Sequence, residues 1–258
     1  PEGEFRDVLT KAAAQQAVKL TRSQDNCSLA KIISEKTIVN AIVALLATGG
    51  SSNHVMHLVA IARAAGIIIN WDDFSALSEI VPSITRIYPN GEADINVFHA
   101  AGGVPFVIRT LLEAGLLHED VYTILGFGLA NFTKEPILKD NKIGWQDAPK
   151  ISAQLDVLRP ASSPFATTGG LTLLTGNLGR SVMKVSAVAK NCQQITAPAM
   201  VFDSQQALKD AFDLGKMEKD LIAVVRFQGP QACGMPELHQ LITYLGVLQD
   251  RGFKVALV

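Results

Sequence analysis

Residues Glu35–Thr48 (EKTIVNAIVALLAT) carry apolar side chains on nearly every face of a helix, and this constrains the fold more than any other feature. A helix that is apolar all round cannot lie on a surface and must be enclosed by other elements. The chain has the means to enclose it. It has 258 residues, 48% of them hydrophobic and 18% charged, which excludes disorder as its main state. Gly49-Gly50 ends this helix. Ser51-Ser52-Asn53 then offers N-cap side chains for a further helix running to about Ala65 and closed by Gly66. Helical spacing of apolar residues also marks residues 5–20. Trp71-Asp72-Asp73-Phe74 opens another helix, and residues 106–114 form one that stops at Gly115. Between these, residues 67–70 read as a short strand and residues 82–90 as extended and turn-like.

The character changes after residue 130. Residues 131–163 are polar, carry Pro136, Pro149 and Pro160 and show no sustained periodicity, so they read as a linker or an inter-domain excursion. Beyond them come short β-like runs at residues 171–174, 181–188, 199–202, 221–227 and 254–258. Helices are expected at residues 204–214, with Ser204 as N-cap, and at residues 236–250. Short strands with glycine turns and few helices point to a β-rich second domain of barrel type. The division expected is therefore residues 1–163 as a helix-rich α/β part with its linker, and residues 164–258 as the start of a β-barrel-like part.

Charge narrows the partners. With 23 Lys+Arg against 24 Asp+Glu the formal charge is −1, and without a basic excess broad binding to nucleic acid or to an anionic membrane is not expected. An anionic ligand has to be met by local donors. Cys27, Cys192 and Cys233 are few, far apart and free of any CxxC pair, which argues against a zinc ribbon, a local iron–sulfur loop or a disulfide scaffold. The most apolar stretch is too short to span a bilayer. The expectation is a soluble, cytoplasmic protein. Residues 253–258 read as a buried strand with no turn or cap after them, so the sequence is also expected to be a piece of a longer one.

Three motifs can carry chemistry. In GGSSNHVMH, residues 49–57, glycines allow close backbone approach and a helix N-terminus presents free N–H groups to an anion. Ser51, Ser52 and Asn53 add donors, and His54 and His57 stand three apart on one face. The same pattern is equally that of a capped helix between two buried ones, and residue types alone favour this structural reading. GNLGR, residues 176–180, has neither Walker spacing nor a following helix, so it reads as a β-turn and not a nucleotide loop. GPQACGMPELH, residues 229–239, sits between an apolar strand and a helix and places Glu237 near that helix's first turn. There a carboxylate can serve the helix dipole, a metal ion or a proton transfer.

Taken together these segments resemble the family of dihydroxy-acid and sugar-acid dehydratases. ATGGSSNHVMHLVAIARAAGI is similar to that family's ATGGSTNxxxHLxAxAxxAG segment, with Ser52 where many members carry Thr. GPQACGMPELH is similar to its GPxxxGMPE segment. INWDDFSALSEIVP, YPNGEADINVFHAAGGVP, LLEAGLLHEDV and GNLGRSVMKVSAV resemble the branch acting on 6-phosphogluconate. The resemblance implies a hydro-lyase that turns 6-phosphogluconate into 2-keto-3-deoxy-6-phosphogluconate in the Entner–Doudoroff pathway. It implies an iron–sulfur cluster, of 4Fe-4S type, whose cysteine motifs lie upstream of the matched region. The base it implies is a serine just beyond Val258, so no catalytic base is expected in this segment and the segment alone is expected to be inactive. It implies Glu237 as a holder of a divalent metal such as Mg2+. Ser52, Asn53 and His54 are secondary candidates for substrate contact. The fold implied is the end of a large α/β domain followed by the start of a swivelling β-barrel domain, in a homodimer. The alternatives are a dihydroxy-acid dehydratase of branched-chain amino-acid synthesis and a non-catalytic scaffold protein.

Overall fold

The structure, a computed structural model, describes residues 3–22, 28–234 and 237–258. It divides into two compact units, residues 1–187 and residues 188–258. Cys27, together with Met235 and Pro236 of the GMPE motif, lies outside the described residues.

The first unit begins with helices α1 (Glu4–Arg22), α2 (Leu29–Ile32), α3 (Glu35–Thr48), α4 (Ser52–Ala64), α5 (Trp71–Ile80), α6 (Ile95–Ala101) and α7 (Gly103–Glu113). The all-round apolar helix is α3, and it is enclosed as its composition demands, with Ile42, Leu45 and Leu46 fully buried. Phe74 of α5, Leu111 of α7, Ile84 and Leu158 complete this core. Local chemistry sets the helix ends. Ser34 and Thr37 form a reciprocal capping box for α3, Asn70 and Asp73 one for α5, and Asp94 Oδ1 accepts from the amides of Asn96 and Val97. Because Asn70 is a cap, residues 67–70 are an irregular lead-in to α5 and not the expected strand. Among the described residues no single helix is long and apolar enough to cross a membrane.

Residues 131–163 are not a linker. Two short strands, β1 (Tyr122–Thr123) and β2 (Gly126–Phe127), are followed by a regular hairpin of β3 (Lys134–Lys139) and β4 (Lys142–Asp147). Its two-residue turn is Asp140-Asn141, both at positive φ, which is the turn that suits strand twist. The guanidinium of Arg109 on α7 donates to the carbonyls of Thr133, Ala148 and Pro149, tying the hairpin base to the helical layer. Val157 and Leu158 then enter the core, held by antiparallel bridges of Thr85 with Leu158 and Ser83 with Ala166. The prolines mislead here because they sit in irregular connections and on a half-exposed two-stranded hairpin, where a missing N–H costs little. A second hairpin, β5 (Leu171–Gly176) with β6 (Gly179–Lys184), turns at Asn177-Leu178. GNLGR is therefore the β-turn expected of it, and Arg180 pairs with Asp72 at the start of α5. This hydrogen bond and charge hold the Asp72 carboxyl below the ordinary range.

The second unit is a parallel three-stranded sheet, order β7 (Ala199–Phe202), β8 (Leu221–Val225), β9 (Val255–Leu257). Helices α8 (Gln205–Asp213), α9 (Pro230–Cys233) and α10 (His239–Asp250) connect the strands. Leu221, Ala223 and Val225 alternate inward along β8 and meet Leu208, Met217, Leu241 and Leu248. Ser204 caps α8 as expected, accepting from the amide of Ala207 at 3.1 Å.

Candidate functional site

The GGSSNH run is built as a helix–loop–helix corner. Gly49 is the left-handed C-cap of α3, at φ +63°, and Ser51 caps α4 by accepting from the amide of His54 at 3.3 Å. Ser52, Asn53 and His54 form the first turn of α4, with Ser52 exposed and Asn53 half-buried. The glycines do not open space for a ligand. A Cβ on Gly49 would stand 1.8 Å from Nδ2 of Asn90, and one on Gly50 would stand 2.9 Å from Leu45 Cγ. Asn90 fills the corner, donating to the Gly49 carbonyl at 2.9 Å and accepting from Ser186 Oγ at 3.1 Å. Beside it a crevice between Gly49, Gly50, Gly170, Lys184 and Ser186 is closed to water, and burial holds the Lys184 ammonium below the ordinary lysine range.

His54 and His57 share a face, as their spacing requires. Burial, and then the neighbouring His57, hold the His54 imidazole below its ordinary range. An imidazole depressed in the folded state gives the unfolded chain more bound protons as pH falls below the ordinary histidine value, so stability declines on the acid side. We expect a ¹H NMR titration to place the His54 midpoint below that of free histidine. His54→Gln should then remove part of the stability lost between about pH 7 and pH 5. Equal acid sensitivity of the two proteins would refute this assignment.

Glu237 lies in the other unit, in the turn before α10. Its Oε1 accepts from the amide of His239 at 2.7 Å, and its carbonyl accepts from Gln205 Nε2 at 3.1 Å. The carboxylate thus satisfies a free N–H of α10 and complements its dipole, while the side chain remains exposed. Gln205 also donates to Gln228 at 2.9 Å, which braces the loop after β8. That loop follows the carboxyl end of a parallel strand, the side on which α/β sheets bind ligands. Cys233, the last residue of α9, is exposed and donates back to the Phe227 carbonyl in that loop at 3.1 Å. Among the described residues no three His, Cys, Asp or Glu side chains converge as metal donors. The described residues therefore do not by themselves fit an iron–sulfur cluster or a divalent metal, and Glu237 stands as a single carboxylate donor.

The sequence-derived candidates fall into two groups, Ser52, Asn53 and His54 in the first unit and Glu237 in the second. Sequence reasoning missed Asn90, Lys184 and Ser186, and it missed Arg86 and Arg159. Both arginine guanidiniums lie over the ring of Phe165, at 4.5 and 4.3 Å from its centroid. Nothing in a local pattern links residues so far apart in the chain.

Comparison with known proteins adds the ancestry. Residues 1–132 match the model of the dihydroxy-acid/6-phosphogluconate dehydratase N-terminal domain, and residues 156–258 match that of the C-terminal domain. Over its whole length the chain is 58% identical to a phosphogluconate dehydratase of Pseudomonas aeruginosa and 55% identical to one of Escherichia coli K12. It is 33% identical, over 95% of its length, to a dihydroxy-acid dehydratase of Caldanaerobacter subterraneus. The chain spans 43% of the length of the first two relatives and 41% of the third. On these matches, the chain belongs to the dihydroxy-acid/6-phosphogluconate dehydratase family.

Proposed function

We propose that the protein carrying this chain dehydrates 6-phosphogluconate to 2-keto-3-deoxy-6-phosphogluconate, as a hydro-lyase of the Entner–Doudoroff pathway. The observation that carries the proposal is the identity gradient. Relatives named phosphogluconate dehydratase are 48–58% identical over 97–100% of the chain, against 33% for the relative named dihydroxy-acid dehydratase. That difference favours the phosphorylated sugar acid over the branched-chain precursor.

In this reading, the iron–sulfur cluster and a metal such as Mg2+ belong to the full protein, with cluster ligands and the serine base outside these residues. The cluster supplies Lewis-acid chemistry when bound. Within this chain, the first turn of α4 offers Ser52, Asn53 and His54 as substrate contacts, and the α10 turn offers Glu237 as a charged donor. The reading also keeps the swivelling barrel for the longer polypeptide, together with a homodimeric, cytoplasmic enzyme.

The test is an anaerobic assay of the full gene product with 6-phosphogluconate and, separately, with the dihydroxy acid of valine synthesis. Keto-acid formation from the first and little from the second is expected, and the reverse preference would overturn the proposal. Glu237→Gln should lower turnover about 100-fold, in the range seen when groups supporting a metal are removed. A glutamine oxygen still accepts from the His239 amide, so the melting temperature should stay within a degree or two. Full activity in this variant would remove Glu237 from the site.

A further inference from the structure

Two arginines share one aromatic ring in the first unit. The guanidinium carbons of Arg86 and Arg159 lie 4.5 and 4.3 Å from the centroid of Phe165, hence no further than twice that from each other. Backbone bonds fix all three residues. The Arg86 amide donates to Val157 at 2.8 Å, the Arg159 amide to Ile84 at 2.9 Å and the Phe165 amide to Ser83 at 2.9 Å. Among the described residues neither guanidinium makes an ion pair. Arg159 spends its Nε on the Leu155 carbonyl at 2.9 Å, which leaves its forked N–H groups available. A ring face attracts each cation, and two guanidiniums gathered on one ring with no ion-pair partner concentrate positive charge that an anion would neutralise.

We propose that Arg86 and Arg159, braced on Phe165, form a phosphomonoester-binding subsite that grips the phosphate end of the substrate. This rests on the functional reading above, which supplies the phosphorylated acid. Two unneutralised guanidiniums match the charge of roughly −1.5 to −2 and the three acceptor oxygens of a phosphomonoester better than the single charge of a carboxylate. The segment that carries Arg86 also braces the GGSSNH corner. Arg86 follows Thr85, whose hydroxyl donates to the Thr48 carbonyl at 2.9 Å, and it precedes Asn90 on the same segment.

Inorganic phosphate is the probe, with its dissociation constant measured on the full gene product by ³¹P NMR or calorimetry alongside the KM for 6-phosphogluconate. Arg86→Gln and Arg159→Gln should each weaken phosphate about 10- to 100-fold and raise KM by a similar factor, with kcat unchanged, because the contact is equal in ground and transition states. Arg86→Lys should recover part of the loss, since lysine keeps the charge without the fork. Lys139→Gln, on the β3–β4 hairpin, should change neither quantity. The subsite is refuted if wild-type protein does not bind millimolar phosphate, or if both glutamine variants bind it as wild type does. A gene product that fails to dehydrate 6-phosphogluconate yet shows the arginine-dependent phosphate affinity would refute the functional reading and leave the subsite standing.

Discussion

Gly49→Ala lowers the free energy of unfolding by about 3 kcal/mol, because two independent costs fall on one methyl group. The first is conformational. Gly49 sits at φ +63° as the C-cap of α3, a region that costs a residue with a Cβ about 1–2 kcal/mol. The second is steric, since the new Cβ would lie 1.8 Å from Asn90 Nδ2. Asn90 must withdraw, losing its bonds to the Gly49 carbonyl and to Ser186, each worth about 0.5–1.5 kcal/mol net. Denaturant unfolding of both single variants and the double variant with Asn90→Ala separates the two costs. In the Asn90→Ala background only the conformational part should remain, about 1–2 kcal/mol. An equal cost in both backgrounds would show that Asn90 does not occupy the corner.

Leu248→Ala should unfold the second unit selectively. Leu248 on α10 is fully buried, and truncating such a leucine costs about 2–5 kcal/mol through lost transfer energy and the cavity left behind. The core it belongs to contains ten buried apolar residues among those described, half as many as the core of the first unit. A small core has little margin to lose. Hydrogen exchange read by mass spectrometry should show peptides from residues 188–258 losing protection while those from residues 35–187 keep it. Simultaneous loss in both would mean that the two units unfold as one, and the expectation would fail.

Much of the fold was legible in the sequence wherever the signal was local. The all-round apolar run of α3, the Ser51 and Ser204 caps, the Asp72-Asp73 opening of α5 and the apolar run of β8 each follow from short-range pattern or hydrogen-bonding chemistry. The β3–β4 hairpin escaped because its side chains are half-exposed and mixed, so no clean alternation marks it. Its turn signal, Asp140-Asn141, was overshadowed by the nearby prolines. The helix α6 is short and capped by Asp94 alone. Glu237 could be picked out as a helix-opening carboxylate, and its bond to the His239 amide is the structural role that composition had already allowed.

By itself the sequence determined that an enclosed helical core must exist, where most helices begin and end, and, through the GGSSNH and GMPE motifs, which family the chain resembles. Only the tertiary structure decided that Asn90 occupies the glycine corner, that residues 131–163 return to the core, and that Arg86 and Arg159 meet on Phe165. The reason is one of range. Caps and periodicity are interactions between residues a few positions apart, whereas convergence of Arg86, Arg159 and Phe165 depends on backbone pairing between segments more than 70 residues apart.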